Sequence, residues 1–167
     1  LIFDIDGTLW NAVDQFTKAW NCKLSELSYN GPSLSYEKVA GIMGLPFEQV
    51  AERLFPELDF FNRNALLEQC LLTHVPLIRT EGGNFYPGVI DGIKKLAQHY
   101  PIGIVSNCTL DYLELFIELS GLQRHVIDSE CHGRTKLNKA ESLQLVLERN
   151  QFHNSYYHKQ PSLRKKL

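Results

Sequence analysis

The feature that most limits how this chain can fold is its opening segment, Leu1-Ile2-Phe3-Asp4-Ile5-Asp6-Gly7-Thr8-Leu9-Trp10. Leu1, Ile2 and Phe3, with Ile5 set between two aspartates, read as a short strand buried in a parallel sheet. Such a strand carries Asp4 and Asp6 to its carboxyl end, the edge at which open α/β sheets bind ligands. Side chains alternate along a strand but diverge where it becomes a loop, so both carboxylates can border one pocket in different roles. Gly7 permits positive φ and a close approach of backbone to a ligand. Two readings are open: a strand closed by an acidic Asp-Gly turn, or a nucleophile and an acid/base partner beside a metal. Far downstream, Ile102-Gly103-Ile104-Val105-Ser106-Asn107 repeats the pattern of an apolar strand ending in polar residues. A lysine-bearing segment, Gly133-Arg134-Thr135-Lys136-Leu137-Asn138-Lys139, follows it.

With 167 residues the chain can bury one proper core and a small second module. A hydrophobic content of 44% and a charged content of 22% are those of an ordinary globular protein, and a net charge of -2 gives no electrostatic case for nucleic acid. No apolar run approaches a membrane span. Cys22, Cys70, Cys108 and Cys131 are scattered without metal-ligand spacing, so reduced thiols and a cytoplasmic location are expected.

Periodicity divides the chain. From Asn11 to about Thr80 it is helical: Val13, Phe16, Trp20 and Leu24 form one stripe, and Asn30-Gly31-Pro32-Ser33 breaks it. A second helix, capped by Ser35, turns Val39 and Ile42 inward and stops at Gly44-Leu45-Pro46. Helices over Phe47 to Phe55 and Asn62 to about Val75 follow, the latter ending or kinking near Pro76. After the hinge Glu81-Gly82-Gly83 a strand-and-helix rhythm returns: a helix from Val89 to about Tyr100, a strand over Ile102 to Val105, and a helix over Leu110 to Ser120 closed by Gly121. A short strand over Val126 to Ile127 and a helix over Ala140 to Arg149 complete it. Alternation of this kind predicts an α/β fold with a parallel sheet.

Asp-x-Asp-Gly-Thr after an apolar run, with Gly44-Leu45-Pro46, Tyr86-Pro87-Gly88 and Val105-Ser106-Asn107 in order, resembles the haloacid dehalogenase-like (HAD-like) hydrolases, in the branch similar to phosphoglycolate phosphatases. The resemblance implies a Rossmann-like core over 1-12 and 84-158, an α-helical cap over 13-83 that closes on the core's active site, and a basic tail over 159-167. It implies Mg²⁺ as cofactor and a small phosphorylated metabolite, such as phosphoglycolate or a sugar phosphate, as substrate. Asp4 is then the nucleophile that forms an aspartyl-phosphate and a metal ligand. Asp6 is the acid that protonates the leaving group and later activates water, its carbonyl also binding metal. Dehalogenases of the superfamily generally lack an acid here, so a phosphotransferase is expected.

Ser106 and Asn107 correspond to the position that holds the transferring phosphoryl group, although a Ser-Asn helix cap accounts for the same residues. Gly7, Thr8 and Gly44 join them as substrate-binding candidates; the turn from Gly41 to Pro46 is either the cap segment that faces substrate or an ordinary helix-helix turn. Lys139 heads Lys-Ala-Glu-Ser-Leu, which resembles the family's phrase around its phosphate-neutralising lysine more closely than Lys136 does; Lys136 is the alternative. Cys108 reads as packing, and His125, His132 and His153 as surface residues.

The pattern departs from the family after Asn154. Tyr156 and Tyr157 can begin a strand, but Lys159, Gln160 and Arg164 then stand where Gly, Asp and a second Asp complete the family's metal shell. A truncated or frame-shifted copy is the expectation, as also suggested by the opening at Leu1. The alternatives to a phosphatase are a non-catalytic fragment of the family and a phosphotransferase of the β-phosphoglucomutase type. A monomer or weak homo-oligomer is expected, with no nucleic-acid or membrane partner.

Overall fold

The computed structural model describes residues 1–152 and the two-residue strand 157–158. A parallel sheet of order β5-β4-β1-β6 lies at its centre: β1 is Ile2–Phe3, β4 Ile102–Ser106, β5 Val126–Cys131 and β6 Tyr157–His158. Every residue of β4 is buried, in keeping with the unbroken apolar run of Ile102 to Val105 that precedes Ser106. Ile2 is in register with Gly103 on one side and Tyr157 on the other. Helices α6 (Val89–Leu96), α7 (Leu110–Ser120) and α9 (Lys139–Arg149), with the short α8 (His132–Thr135), alternate with these strands. The α/β class and parallel sheet expected from the sequence are what the chain forms.

Between β2 (Trp10–Asn11) and β3 (Asn84–Phe85) stand five helices: α1 (Val13–Glu26), α2 (Tyr36–Ala40), α3 (Phe47–Leu54), α4 (Phe60–Leu71) and α5 (His74–Glu81). The strands on either side of this insert pair antiparallel, Trp10 with Phe85 and Asn11 with Asn84, so the outgoing and returning chains are joined in one ribbon. One continuous cluster of buried residues runs from the insert to the sheet layer. At its centre Trp10 packs on Phe85, Tyr112 and Phe116 with centroids 5.3, 5.7 and 5.1 Å away. Phe16 stacks on His74 at 4.2 Å and meets Trp20 edge-on at 5.2 Å. Outside the core, Arg79 of α5 holds both carboxylate oxygens of Glu118 on α7 at 2.8 Å.

Three sequence expectations need correction. The strand expected over Val126 to Ile127 continues to Cys131. Asp128, Ser129 and Glu130 look like the end of a strand, but α9 and α8 supply their partners. Arg149 reaches Asp128 at 2.9 Å and Glu130 at 3.0 Å, and Arg134 lies 3.2 Å from the other oxygen of Glu130. A carboxylate that is only 1% exposed is tolerated because two guanidinium groups satisfy it. The helix expected to run on to Val75 ends at Leu71, and Pro76 lies in the first turn of a new helix, where its missing N–H has no bond to lose. The helix expected to reach Tyr100 stops at Leu96.

Other boundaries agree closely. Gly121 ends α7 in the left-handed region, and the Ser35 hydroxyl accepts the Lys38 N–H at the start of α2. No helix among the described residues is long and apolar enough to cross a membrane. Tyr156, His153, Lys159, Gln160, Arg164 and the rest of the tail lie outside the described residues.

His74 is an imidazole 1% exposed among aromatic rings. Burial lowers its pKa to about 4, against a smaller opposing influence of Asp111. The unfolded chain therefore binds the extra proton first, and the stability linked to this group, fully present above the unfolded value near pH 6.5, is lost as pH falls toward 4. Relative to His74→Leu, the protein should lose about 2 kcal/mol of unfolding free energy between pH 7 and pH 5 in denaturant titrations. A difference that stays constant across that range would show that the ring protonates in place.

Candidate active site

The site is built at the carboxyl ends of β1 and β4, beneath the helical insert. Asp4, 1% exposed, follows β1 directly; its Oδ1 accepts the Ile5 N–H at 2.9 Å and lies 2.6 Å from the Lys139 ammonium. The lysine is the first residue of α9, and its position is fixed by a capping box. The Asn138 side chain accepts the Ala140 and Glu141 N–H groups, while the Glu141 carboxylate accepts that of Asn138. Lys136 instead occupies the C-cap of α8 with a φ of 59° and an exposed side chain. Of the two lysines, Lys139 is the one paired with Asp4.

Gly7 turns the chain with a φ of 70°, and the Gly7 N–H donates to the Trp10 carbonyl at 3.1 Å while the Thr8 N–H donates to that of Ile5. This closes a tight loop immediately after the two aspartates. Asp6 faces the cavity between the layers. Its Oδ1 accepts the hydroxyl of Tyr112 at 2.5 Å, and that oxygen in turn accepts the indole N–H of Trp10 at 3.0 Å. Because the indole can only donate, the tyrosine's own proton is directed at Asp6. Burial raises the Asp6 pKa to about 6, outweighing the Tyr112 hydrogen bond, which acts in the opposite sense. A carboxyl poised there can carry a proton in one step and accept one in the next near neutral pH.

Ser106, 2% exposed, ends β4, and Asn107 follows it. The Asn107 side-chain amide donates to the Gly44 carbonyl at 2.9 Å, joining the sheet layer to the insert. Gly44 has a φ of 76°, and a Cβ placed there would lie 3.9 Å from Asp4 Oδ2, so the turn from Gly41 to Pro46 stands over the first aspartate. Cys108 also borders the cavity; burial pushes its thiol well up, which agrees with packing rather than nucleophilic use. His132 borders the same cavity, with its Nδ1 3.1 Å from the Leu137 carbonyl, and so is less of a surface residue than its sequence context implied.

The donors fit a hard cation in part. Asp4 Oδ2 is buried and has no hydrogen-bond partner among the described residues, leaving an anionic oxygen in want of a positive centre. Mg²⁺ is commonly held by one or two carboxylates, substrate phosphate oxygens and water, and the Asp4 carboxylate can supply the first of these; Asp6, whose carboxyl is engaged by Tyr112, would contribute its backbone carbonyl. Among the described residues there is no group of three or more His, Cys, Asp or Glu side chains that could hold a metal. Sequence reasoning missed Tyr112 and Trp10. The available signal was a polar tip on the apolar face of a predicted helix, Tyr112 among Leu113, Leu115 and Phe116.

Solved structures with the same fold include a predicted phosphoglycolate phosphatase from Haemophilus somnus, 17% identical with a TM-score of 0.75, covering 90% of this chain and 70% of its own. A haloacid dehalogenase-like family hydrolase from Streptococcus pneumoniae is 18% identical with a TM-score of 0.71, covering 93% and 71%. A predicted phosphatase from Clostridium acetobutylicum is 13% identical with a TM-score of 0.68, covering 90% and 69%. No curated protein sequence matches the chain. The family model for haloacid dehalogenase-like hydrolases matches residues 1–157, and the chain belongs to that family.

Proposed function

We propose that this hydrolase is a Mg²⁺-dependent phosphatase that cleaves phosphomonoesters of small metabolites through an aspartyl-phosphate, with the helices of 13-83 acting as its cap. The observation that carries the reading is the pair of neighbouring carboxylates in opposite settings. Asp4 is buried against the Lys139 ammonium at 2.6 Å, whereas Asp6 is raised to about 6 by burial and held by Tyr112. Phosphate monoesters repel nucleophiles through their own anionic oxygens, so attack by a carboxylate needs cationic groups around it. Lys139 supplies one, and Ser106, at the end of β4, is the candidate hydroxyl donor to phosphoryl oxygens; the N–H groups of Gly7 and Thr8 are taken up by the Trp10 and Ile5 carbonyls and serve the turn itself. A Mg²⁺ ion held by the Asp4 carboxylate and the Asp6 backbone carbonyl would add charge neutralisation.

In the first step an oxygen of Asp4 bonds to phosphorus as the bond from phosphorus to the ester oxygen breaks, and Asp6 gives its proton to the departing alkoxide. In the second, Asp6 takes a proton from water as that water attacks the acyl phosphate, releasing inorganic phosphate and restoring Asp4. Tyr112 keeps Asp6 Oδ1 engaged, so the proton travels on the other oxygen. A second reading, a chain that binds phosphate without turning it over, is favoured by the lack of a third metal-binding side chain among the described residues.

Hydrolysis of 4-nitrophenyl phosphate with and without Mg²⁺ separates the two. Metal-dependent turnover, abolished in a folded Asp4→Asn protein, is expected; phosphate binding by folded protein with no turnover would establish the second reading. Tyr112→Phe should lower kcat about tenfold or more on alkyl phosphates and much less on 4-nitrophenyl phosphate, whose leaving group needs no proton. Equal losses on both esters would remove Tyr112 from the acid's support.

A further inference from the structure

The cavity that begins at Asp6 and Asn107 extends for about 600 Å³ under α1, α3 and α4. Its walls are largely apolar away from the two ends. Phe16, Trp20, Val50, Leu67 and Leu71 surround the space, and Phe47 and Met43 close the side nearest Gly44. Charged groups in the lining are few: Asp6 at the floor, Glu68, and Lys136, whose side chain is exposed. No arginine borders it. His74 lines the cavity but is held uncharged by burial, its pKa lowered to about 4.

A carboxylate on the leaving group would therefore find no buried cation. The hydroxyls of a sugar would lose water against hydrocarbon walls, at a cost only hydrogen bonds could offset. Three polar groups do wait in the lining. The indole Nε1 of Trp20, in a residue 2% exposed, Thr109 Oγ1 and His74 Nδ1 are all buried, and none has a hydrogen-bond partner among the described residues. Buried donors without acceptors are rare in native proteins, and a ligand that supplies an acceptor satisfies them.

We infer that the natural phosphomonoester carries an apolar body about the size of an aromatic ring, with a hydrogen-bond acceptor on it, seated in this cavity between Asp6 and Trp20. The inference rests on the phosphatase reading for the end that holds phosphate; the apolar end is argued from the cavity alone. It excludes phosphoglycolate and simple sugar phosphates as preferred substrates, since a two-carbon acid would leave most of the space unfilled.

The test compares three probes, inorganic phosphate, phosphonoacetate and 2-phenylethylphosphonate, by calorimetry on the full chain in Mg²⁺ buffer. The aryl phosphonate should bind at least about tenfold more tightly than phosphonoacetate. Leu71→Trp, which fills the cavity, should remove that preference while leaving phosphate binding in place. Phe47→Ser, a milder change at a half-buried position, should reduce it if the tryptophan variant does not fold. Turnover of 2-phenylethyl phosphate and phosphoglycolate is measured in parallel. Binding of the aryl phosphonate that Leu71→Trp or Phe47→Ser weakens, without turnover of either ester, would refute the phosphatase reading and uphold the ligand class. Turnover with phosphonoacetate bound as tightly as the aryl probe would overturn the inference and leave the phosphatase standing. Binding of none of the three would overturn both.

Discussion

A single buried ion pair organises the molecule. Asp4 leaves β1 with almost no exposure, and a carboxylate in that position is tolerable only with a charge partner, which α9 delivers as Lys139. Everything that aims the lysine is therefore part of the site: the Asn138 and Glu141 capping box that fixes where α9 begins, and the grip of Arg149 on Asp128 and Glu130 that fixes its far end against β5. The helix is held to the sheet at one end by electrostatics and at the other by a pairing that is itself chemical. Distortion of either end moves the ammonium relative to the Asp4 carboxylate, and misplacement on the scale of an ångström is enough to alter the geometry of a reactive site greatly.

The second carboxylate answers to a different environment. Tyr112 and Trp10 belong to the aromatic cluster that joins the two layers, and the same residues that pack the core also orient Asp6. Core packing and the hydrogen bond on Asp6 thus share atoms here. The turn at Gly44, tied to Asn107, gives the insert a second hold on the carboxyl edge of the sheet, this one by hydrogen bond rather than by packing.

Much of this was legible in the sequence because it depends on local pattern. The run into Asp4 and Asp6, the apolar β4, the stripe of Phe16, Trp20 and Leu24, and the Gly121 stop each state their structure within a few residues. The phrase that Lys139 heads set it apart from Lys136 in the sequence, and in the structure Lys139 is the one that pairs with Asp4. What local pattern hid came from partners far away. Polar Asp128 and Glu130 masquerade as a strand end until Arg149 and Arg134 are brought to them. Pro76 reads as a breaker until the preceding turn makes it a starter. Tyr112 reads as one more apolar helix residue until the fold sets its hydroxyl against a carboxylate more than a hundred positions earlier. The character of the cavity was equally hidden, since its walls come from three helices that lie apart in the sequence.

The ribbon formed by β2 and β3 has a consequence for how such a protein can change. Its two strands are hydrogen-bonded neighbours, so the chain departs and returns within one strand spacing, about 5 Å. Any segment whose ends can meet across that gap could be spliced there without disturbing the register of β1 and β4. The helices over the site are in this sense a cassette on a fixed socket. Selection can redraw the walls of the cavity, or exchange them wholesale, while Asp4, Asp6 and Lys139 keep their places.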